Sequence, residues 1–421
     1  MTVGASWKEV TLEDHVDLVV GYAFKSSGYT DDESDVRLLR GDNVAQGELR
    51  WDKAKRWPVA DYQRYEAFHL REGDIILAMD RPWISAGLKY ARVKRKDTPS
   101  LLVQRVARLR GTESLKTDYL RCVIGSADFT DYVLSILTGV NIPHISAKDI
   151  KRFRFLLPPV ATQERISRVI TSYDDLIENN TRRIEILEEM ARRLYEEWFV
   201  QFRFPGHEGV KFKESELGLI PEDWKVSTLD EFGEIITGKT PSKNNSEFFG
   251  GVVPFIKLPD MHGNTFIIET SERLSEEGVS SQKTKTIPPG SICVSCIGTA
   301  GVVVITSEPS QTNQQINSIV PRAPGLREFL FFSATALKEK INNYGATGAT
   351  MTNLSRGKFA SLQVVEPKED LLCGYNKLAA PLFDKILCLQ KANRNLRAQR
   401  DLLLPKLISG EIDVSDIPMP T

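Results

Sequence analysis

Apolar or small side chains fall at positions 173, 177, 180, 184, 187, 191, 194 and 198 in alternating steps of four and three, with one polar interruption at Asn180. A period of that kind is the seam of a coiled coil, and a seam needs a second helix. The same steps recur 209 residues later at Leu382, Ile386, Leu389, Asn393, Leu396, Arg400, Leu403 and Leu407. The pattern predicts two long helices of one chain packed on each other, the first presenting Tyr173, Ile177, Asn180, Ile184, Leu187, Leu194 and Trp198. Its start is expected near Thr162, since Pro158 and Pro159 suit a helix entry and not its interior. Running to about Val200, it would span about 58 Å. With position 173 set opposite 407 in an antiparallel pair, facing numbers sum to 580, so Asn180 meets Arg400 and Leu187 meets Asn393.

Upstream of this helix the period changes. VDLVVGYAF, VRLLRGDNV, GDIILAMD, YARVKRK and LLVQRVARLR each read as a strand bounded by Gly, Asp, Ser or Pro. A helical stretch over 117–137 follows, then GVNIPHIS as a loop. From Trp224 the pattern begins again: WKEVTLEDHVDLVVG aligns with WKVSTLDEFGEIITG, and Trp7, Gly21 and Gly73 find Trp224, Gly238 and Gly290 at an offset of 217. Ser146 and Asp175 find Ser355 and Asp384 at an offset of 209. Constant offsets at separated points mark an internal duplication whose second copy is about eight residues shorter in its middle. The predicted fold class is α+β: two mixed, β-rich domains, each followed by a long helix, with the helices packed as an antiparallel coiled coil. The expected boundaries are a domain over 1–157, a helix over 158–204, a second domain over 205–366, a second helix over 367–410 and an extended tail over 411–421.

A length of 421 residues leaves room for two such domains, and 41% hydrophobic with 26% charged residues is an ordinary soluble composition. Neither a membrane-length apolar run nor a signal-peptide pattern is present, which places the expectation in the cytoplasm and away from the membrane. Five sparse cysteines do not form a disulfide framework. Cys293 and Cys296 have metal-ligand spacing without a second pair, and SICVSCIG reads as a buried strand entering a turn, so no metal site is expected. A net charge of −1 excludes a uniformly basic nucleic-acid binder. Residues 158–210 hold 7 basic against 10 acidic side chains, so a DNA-facing surface has to lie on the domains and not on the helix.

No catalytic set emerges. LPPV at 157–160 resembles the proline pair of DNA amino-methyltransferases, but Leu157 and Val160 stand where those enzymes need a polar and an aromatic residue. GTAG at 298–301 lacks the third glycine of a dinucleotide loop and the Gly-Lys-Ser/Thr of a phosphate loop, and reads as a tight turn. What remains are donor-rich loops: 51–58, 79–96 and 104–110 in the first copy, and 237–245, 295–301 and 310–318 in the second. Arg and Lys suit phosphate and guanine, while Asn and Gln suit adenine. The plainer reading of each is a solvated charge, or, for SQTNQQINS, amides that tie strands together; 139–146 and 348–355 read as structural turns.

LPPVATQERI at 157–166, ARRLYEEWFVQFRFPG at 191–206, LGLIPEDWKVSTLDE at 217–231, TGKTPSK at 237–243 and LLLPKLISGEI at 402–412 carry a family likeness. Through their order, spacing and duplication the chain resembles the specificity subunit of type I restriction-modification systems over nearly its full length. The second helix departs from the family pattern at its entry, where VVEPKEDL replaces the proline pair. The resemblance implies two target-recognition domains joined by antiparallel helices, each domain reading one half of an asymmetric, two-part site in double-stranded DNA. It also implies no catalytic residues and no cofactor on this chain. Two modification subunits would carry adenine methylation with S-adenosylmethionine, and a separate restriction motor-nuclease would cleave. The seam segments of 26 residues would span about 39 Å, near the roughly 34–36 Å of one DNA turn. Base readout is expected from Arg81, Trp83, Lys89, Lys94 and Arg95 in the first domain and from Lys239, Lys243, Asn244, Gln311, Asn313 and Gln314 in the second. The competing readings are a methyltransferase or nuclease with fused recognition domains, and a pure assembly scaffold.

Overall fold

The computed structural model describes residues 7–137, 143–345, 353–415 and 417. The turns expected over 139–146 and 348–355 lie partly outside the described residues. Two compact units result: one holds residues 1–176 and 396–421, the other residues 177–395.

In the first unit Lys8–Thr11 pairs antiparallel with Arg154–Leu157, Lys8 opposite Leu157. The main sheet has the order Val16–Val20, Val106–Gly111, Ile75–Ala78, Tyr90–Arg92, all antiparallel. Ile75–Ala78 is buried at every position, as its unbroken apolar run requires of a strand covered on both faces. A smaller sheet orders Arg56–Trp57, Val36–Leu39 and Ser100–Leu102, the last two parallel. LLVQRVARLR is therefore not one strand. It divides between the two sheets at Gln104 and Arg105, where Arg105 takes the left-handed φ of 66°. The helical stretch is likewise two helices, Thr117–Ile124 and Ala127–Leu137. Between them a Cβ on Gly125 would lie 2.3 Å from the Tyr90 hydroxyl, so a larger residue would have to displace that ring. The core gathers Leu12, Ile75, Leu77, Leu109, Tyr119, Leu120 and Phe129 with Ile166, Ile170 and Leu407 of the long helices. The tail joins it: Val414 is buried, and Arg165 donates to the carbonyls of Val414 (3.2 Å) and Ser415 (2.9 Å).

The second unit repeats the plan strand for strand. Lys225–Thr228 pairs with Gln363–Glu366, Lys225 opposite Glu366. Its main sheet runs Gly233–Thr237, Ile316–Pro321, Ile292–Ser295, Val303–Thr306, with Phe266–Ile267 added in parallel at the edge. Equivalent strand positions show where the eight residues are lost. The offset is 217 from Ile75 to Ile292, 213 from Arg92 to Ile305, 210 from Leu109 to Ile319 and 209 from Leu157 to Glu366. The shortening is spread over three connections, and each strand register survives.

The long helices are Val160–Tyr195, prolonged by a π-helical turn at Glu196–Val200, and Glu369–Ile408. Every predicted seam position is buried or half-buried. The expected register is corrected by one heptad. In the second unit the Asn180 side-chain amide donates to the Asn393 side-chain carbonyl at 3.0 Å, and the rings of Trp198 and Tyr375 lie 6.0 Å apart. In the first unit Arg400 donates to Asp174 at 2.7 Å, beside Tyr173, and Ile166 and Ile170 share a cluster with Leu403 and Leu407. Facing numbers thus sum to 573, not 580, and Arg400 does not meet Asn180. Both seams begin about one heptad before the positions read from sequence, at Ile166 and at Tyr375. The observed register matches amide with amide and carboxylate with guanidinium, which the shifted one does not.

In the second unit the added edge strand is fastened to both helices. Thr265 donates to Glu188 at 2.5 Å, and the Phe266 amide donates to Gln390 at 3.2 Å. Burial raises the Glu188 pKa, opposed by the Thr265 hydrogen bond. A raised carboxyl pKa favours the neutral form in the fold, so the ionisation penalty is absent below the ordinary glutamate value and develops as pH rises through the folded one. Glu188→Gln is expected to raise the melting temperature of this unit at neutral pH and to leave it nearly unchanged in acid. Thermal melts at the two pH values measure this; an equal shift at both would exclude ionisation as the cause.

Candidate nucleic-acid interface

In the first unit the antiparallel strands Ile75–Ala78 and Tyr90–Arg92 are joined by an excursion that folds on itself. Trp83–Ile84 pairs with Gly87–Leu88, leaving Ser85 and Ala86 at the tip. Pro82 and Leu88 are buried and anchor this hairpin, while Trp83 and Ile84 project at 38% and 40% exposure. Arg81 enters it with a φ of 44°, its amide donating to the Pro143 carbonyl at 2.8 Å. Lys89 leaves it with its ammonium on the Gly41 carbonyl at 2.5 Å, and burial lowers its pKa. Next in chain, Tyr90 packs against the core beside Arg121, Asp174 and Arg400, and burial raises its hydroxyl pKa. The hairpin therefore stands on a strand packed into the core.

Arg81, Trp83 and Lys89 come together there. Lys94 and Arg95 do not join them: the strand carries the chain to Val93, whose amide donates to the Asp74 carbonyl at the opposite end of the pair. There the Lys94 amide caps the turn Arg95–Asp97 by donating to Asp97 at 2.8 Å. Several donors of the other stretches are occupied internally. Trp51 donates to Asp97 at 2.8 Å under the Arg37 guanidinium, and Trp57 packs among Phe24, Tyr29 and Tyr65. Arg108 is buried on Asp17, and Arg110 grips Asp74 with two hydrogen bonds.

Three residues at this end were not singled out in the sequence. Asp80, next to Arg81, accepts from Arg105 at 2.8 Å and pairs with the His144 ring at 2.6 Å. They come from three separate segments, so no spacing announces them. The left-handed backbone of Arg105 is held by Gln104 donating to Tyr22 (2.9 Å) and Met79 donating to Arg105 (2.9 Å).

The corresponding end of the second unit is built differently on the same frame. Gly238 is required where a Cβ would meet the Asn313 carbonyl at 2.1 Å, and Lys239, Lys243 and Asn244 follow it exposed. Gln314 is exposed, its carbonyl accepting from Thr240 at 2.6 Å. Gln311 and Asn313, expected among the base readers, face inward. Gln311 is fully buried, taking a bond from Gln282 at 2.7 Å and giving one to Thr286 at 2.9 Å; Asn313 donates to Gln315 at 3.0 Å. For these two the structure corrects the expectation: their amides tie segments together, because Gln311–Thr312 pairs in parallel with the distant strand Phe255–Ile256.

GTAG is the tight turn between Ile292–Ser295 and Val303–Thr306, with Gly298 and Gly301 at φ of 80° and 78°. Cys293 and Cys296 sit in different hydrophobic clusters, since an odd spacing on a strand points them to opposite faces. Burial pushes the Cys293 thiol up to about 12 and the Cys296 thiol up to about 11. Among the described residues no group of three or more His, Cys, Asp and Glu side chains has metal-binding geometry, and no helix is long and apolar enough to cross a membrane.

The type I restriction modification DNA specificity domain matches residues 5–189 and 221–370, one match on each copy of the repeat. The chain is 32% identical over 354 residues to the type I restriction enzyme HindI specificity subunit of Haemophilus influenzae, across 70% of this chain and 77% of that one. It is 25% identical over 311 residues to the MjaIX specificity subunit of Methanocaldococcus jannaschii, across 72% and 71%. The crystal structure of a type I restriction-modification S subunit from M. genitalium superposes over 96% of both chains with a TM-score of 0.58 at 16% identity, a likeness of fold.

Proposed function

The chain belongs to the family of type I restriction-modification specificity subunits, non-catalytic proteins of DNA recognition, and from that premise we propose that its two domains read the two different halves of one asymmetric, bipartite site in double-stranded DNA. The observation that carries this is the contrast between a frame repeated register for register and loop ends that differ. Tyr22 of the first unit corresponds to Lys239 of the second: their amides donate to Leu102 and Thr312, each at the same point of the frame. A projecting Trp83 hairpin in one has only the short GTAG turn as its counterpart in the other. Identical frames with unlike loops suit two unlike half-sites.

The long helices set the spacing and recruit the catalytic partners. Ile186 and Met190 are 60% and 51% exposed on the first helix, flanked by Glu185, Glu189 and Arg193, an apolar strip with a charged border suited to a protein partner. Two modification subunits dock on the helices and bring S-adenosylmethionine, which this chain does not itself bind, and a restriction motor-nuclease completes a cytoplasmic assembly. A methyltransferase or nuclease with its own fused recognition domains is the weaker reading, because the relatives are themselves named specificity subunits.

Methylome sequencing of cells expressing the chain with its modification partner is expected to return one bipartite adenine-methylation motif with unlike halves. Trp83→Ala should then weaken recognition at one half only. A continuous or palindromic motif, or equal loss at both halves, would refute the division of labour.

A further inference from the structure

Arg105 has features that a phosphate-binding arginine does not need. Its backbone is left-handed at a φ of 66°, a conformation that costs a non-glycine residue about 1 kcal/mol or more and persists only when the surroundings impose it. Here the neighbouring backbone hydrogen bonds, donated by Gln104 to Tyr22, by Met79 to Arg105 and by Gly21 to Val106, all 2.9–3.0 Å, impose it. The result is an arginine at the point where the chain crosses between two sheets, its side chain 69% exposed while one guanidinium nitrogen is held by Asp80 at 2.8 Å. Asp80 is itself oriented by His144 at 2.6 Å.

Charge decides between the two tasks an exposed arginine can perform. A carboxylate beside the guanidinium cancels much of its attraction for a phosphate and would be repelled by one. It also restricts the orientation of the fork and leaves its other nitrogens free among the described residues, which favours two parallel hydrogen bonds to a guanine edge. The second unit supports a readout role for this backbone position. Cys296 donates to the Gln315 carbonyl at 2.7 Å as Met79 donates to that of Arg105, and Leu354 donates to Cys296 as Ile145 donates to Met79, both at 3.0 Å. The residue equivalent to Arg105 is thus Gln315, a neutral amide whose carbonyl is held by Asn313 at 3.0 Å, much as Arg105 is held by Asp80, and which is poorly suited to phosphate.

Resting on the DNA-recognition reading above, we propose that Arg105 is a specificity-determining residue of the first domain that reads a guanine in the major groove, with Asp80 as its positioning residue. The test is selection from a random DNA library, followed by binding at several salt concentrations, by the full chain assembled with its modification subunits. The wild-type assembly is expected to select a G·C pair in one half-site. Arg105→Ala should lose about ten- to hundredfold discrimination at that pair alone, and Arg105→Gln should shift the preference there toward A·T. Asp80→Asn should blunt the same position, and the salt slope should hardly change in any of the three. Loss spread evenly over all positions, with the salt slope reduced by about one, would make Arg105 a phosphate contact and overturn the assignment. Selection by Arg105→Lys indistinguishable from wild type would also overturn it, since an ammonium lacks the fork. A wild-type assembly that selects no bipartite site would overturn the underlying reading together with it. Melting curves matching wild type establish that the variants are folded.

Discussion

Asp174→Ala will destabilise the first unit by about 3 kcal/mol, the lower end of the roughly 3–5 kcal/mol that follows removal of one member of a buried ion pair, because the site is partly exposed and Arg400 keeps Asp401. Asp174 lies on the first long helix and accepts from Arg121 of the helix Thr117–Ile124 and from Arg400 of the second long helix; Arg121 also donates to Thr171 at 3.0 Å. The three side chains are 14%, 26% and 28% exposed for Arg121, Asp174 and Arg400, so water cannot replace the lost carboxylate well. Among the described residues Arg121 would be left with Thr171 alone, while Arg400 keeps Asp401 at 2.8 Å. Hydrogen exchange is expected to show the loss in amides of the first unit, with those of the second unchanged; loss confined to the helix ends would refute the network.

The duplication supplies a matched control. At the equivalent positions the second unit has Phe331, Phe383 and the buried Ala191, with the two phenylalanine rings 5.4 Å apart. One frame therefore accommodates either an ionic or an apolar solution at this point. Transplanting the apolar set, Arg121→Phe with Asp174→Phe and Arg400→Ala, should recover the loss and is expected to be neutral or stabilising by about 1–4 kcal/mol, as replacements of buried ion networks often are. The ionic version is then best understood as specifying which helix positions meet.

The second large effect concerns the paired asparagines. Asn393→Leu leaves Asn180 facing an apolar side chain and should cost about 1–3 kcal/mol, nearer the lower figure because Asn180 is half-buried. Changing both to leucine removes that penalty and is expected to restore or exceed the original stability, while deleting the feature that distinguishes one heptad pairing from the next. Crosslinking reads this directly. Cysteines at Leu187 and Ile386 should form a disulfide in the parent chain, and cysteines at Leu187 and Asn393 should not. In the Asn180→Leu, Asn393→Leu chain the yield of the first pair should fall. Efficient crosslinking of Leu187→Cys with Asn393→Cys in the parent would restore the register that sums to 580.

The existence of both helices and their inward faces was written in a period that side-chain packing imposes directly, so the sequence sufficed for them. So did the duplication, because equal offsets need no knowledge of space. Strand cores such as Ile75–Ala78 declared themselves by unbroken apolar runs, and GTAG declared a turn by two glycines that the backbone places at positive φ. Register was not legible in the same way. A seam read from its clearest heptads begins too late, and one missed heptad at each helix start shifts every pairing by seven.

The candidate interface was legible as a region and not as a list. Arg81, Trp83 and Lys89 belong to one contiguous hairpin, and contiguity alone kept them together. Lys94 and Arg95 are equally close in sequence, yet an antiparallel strand carries them to the other end of the sheet. Gln311 has the composition of a base reader and is buried because its strand pairs with one more than fifty residues upstream. Arg105, Asp80 and His144 meet only because three loops converge. Period, repetition and turn chemistry are local properties of the chain, and the sequence by itself determined what depends on them: two β-rich domains, two seamed helices and their order. Which polar groups face solvent and which are consumed inside depends on contacts between distant segments, and these the tertiary structure alone decided.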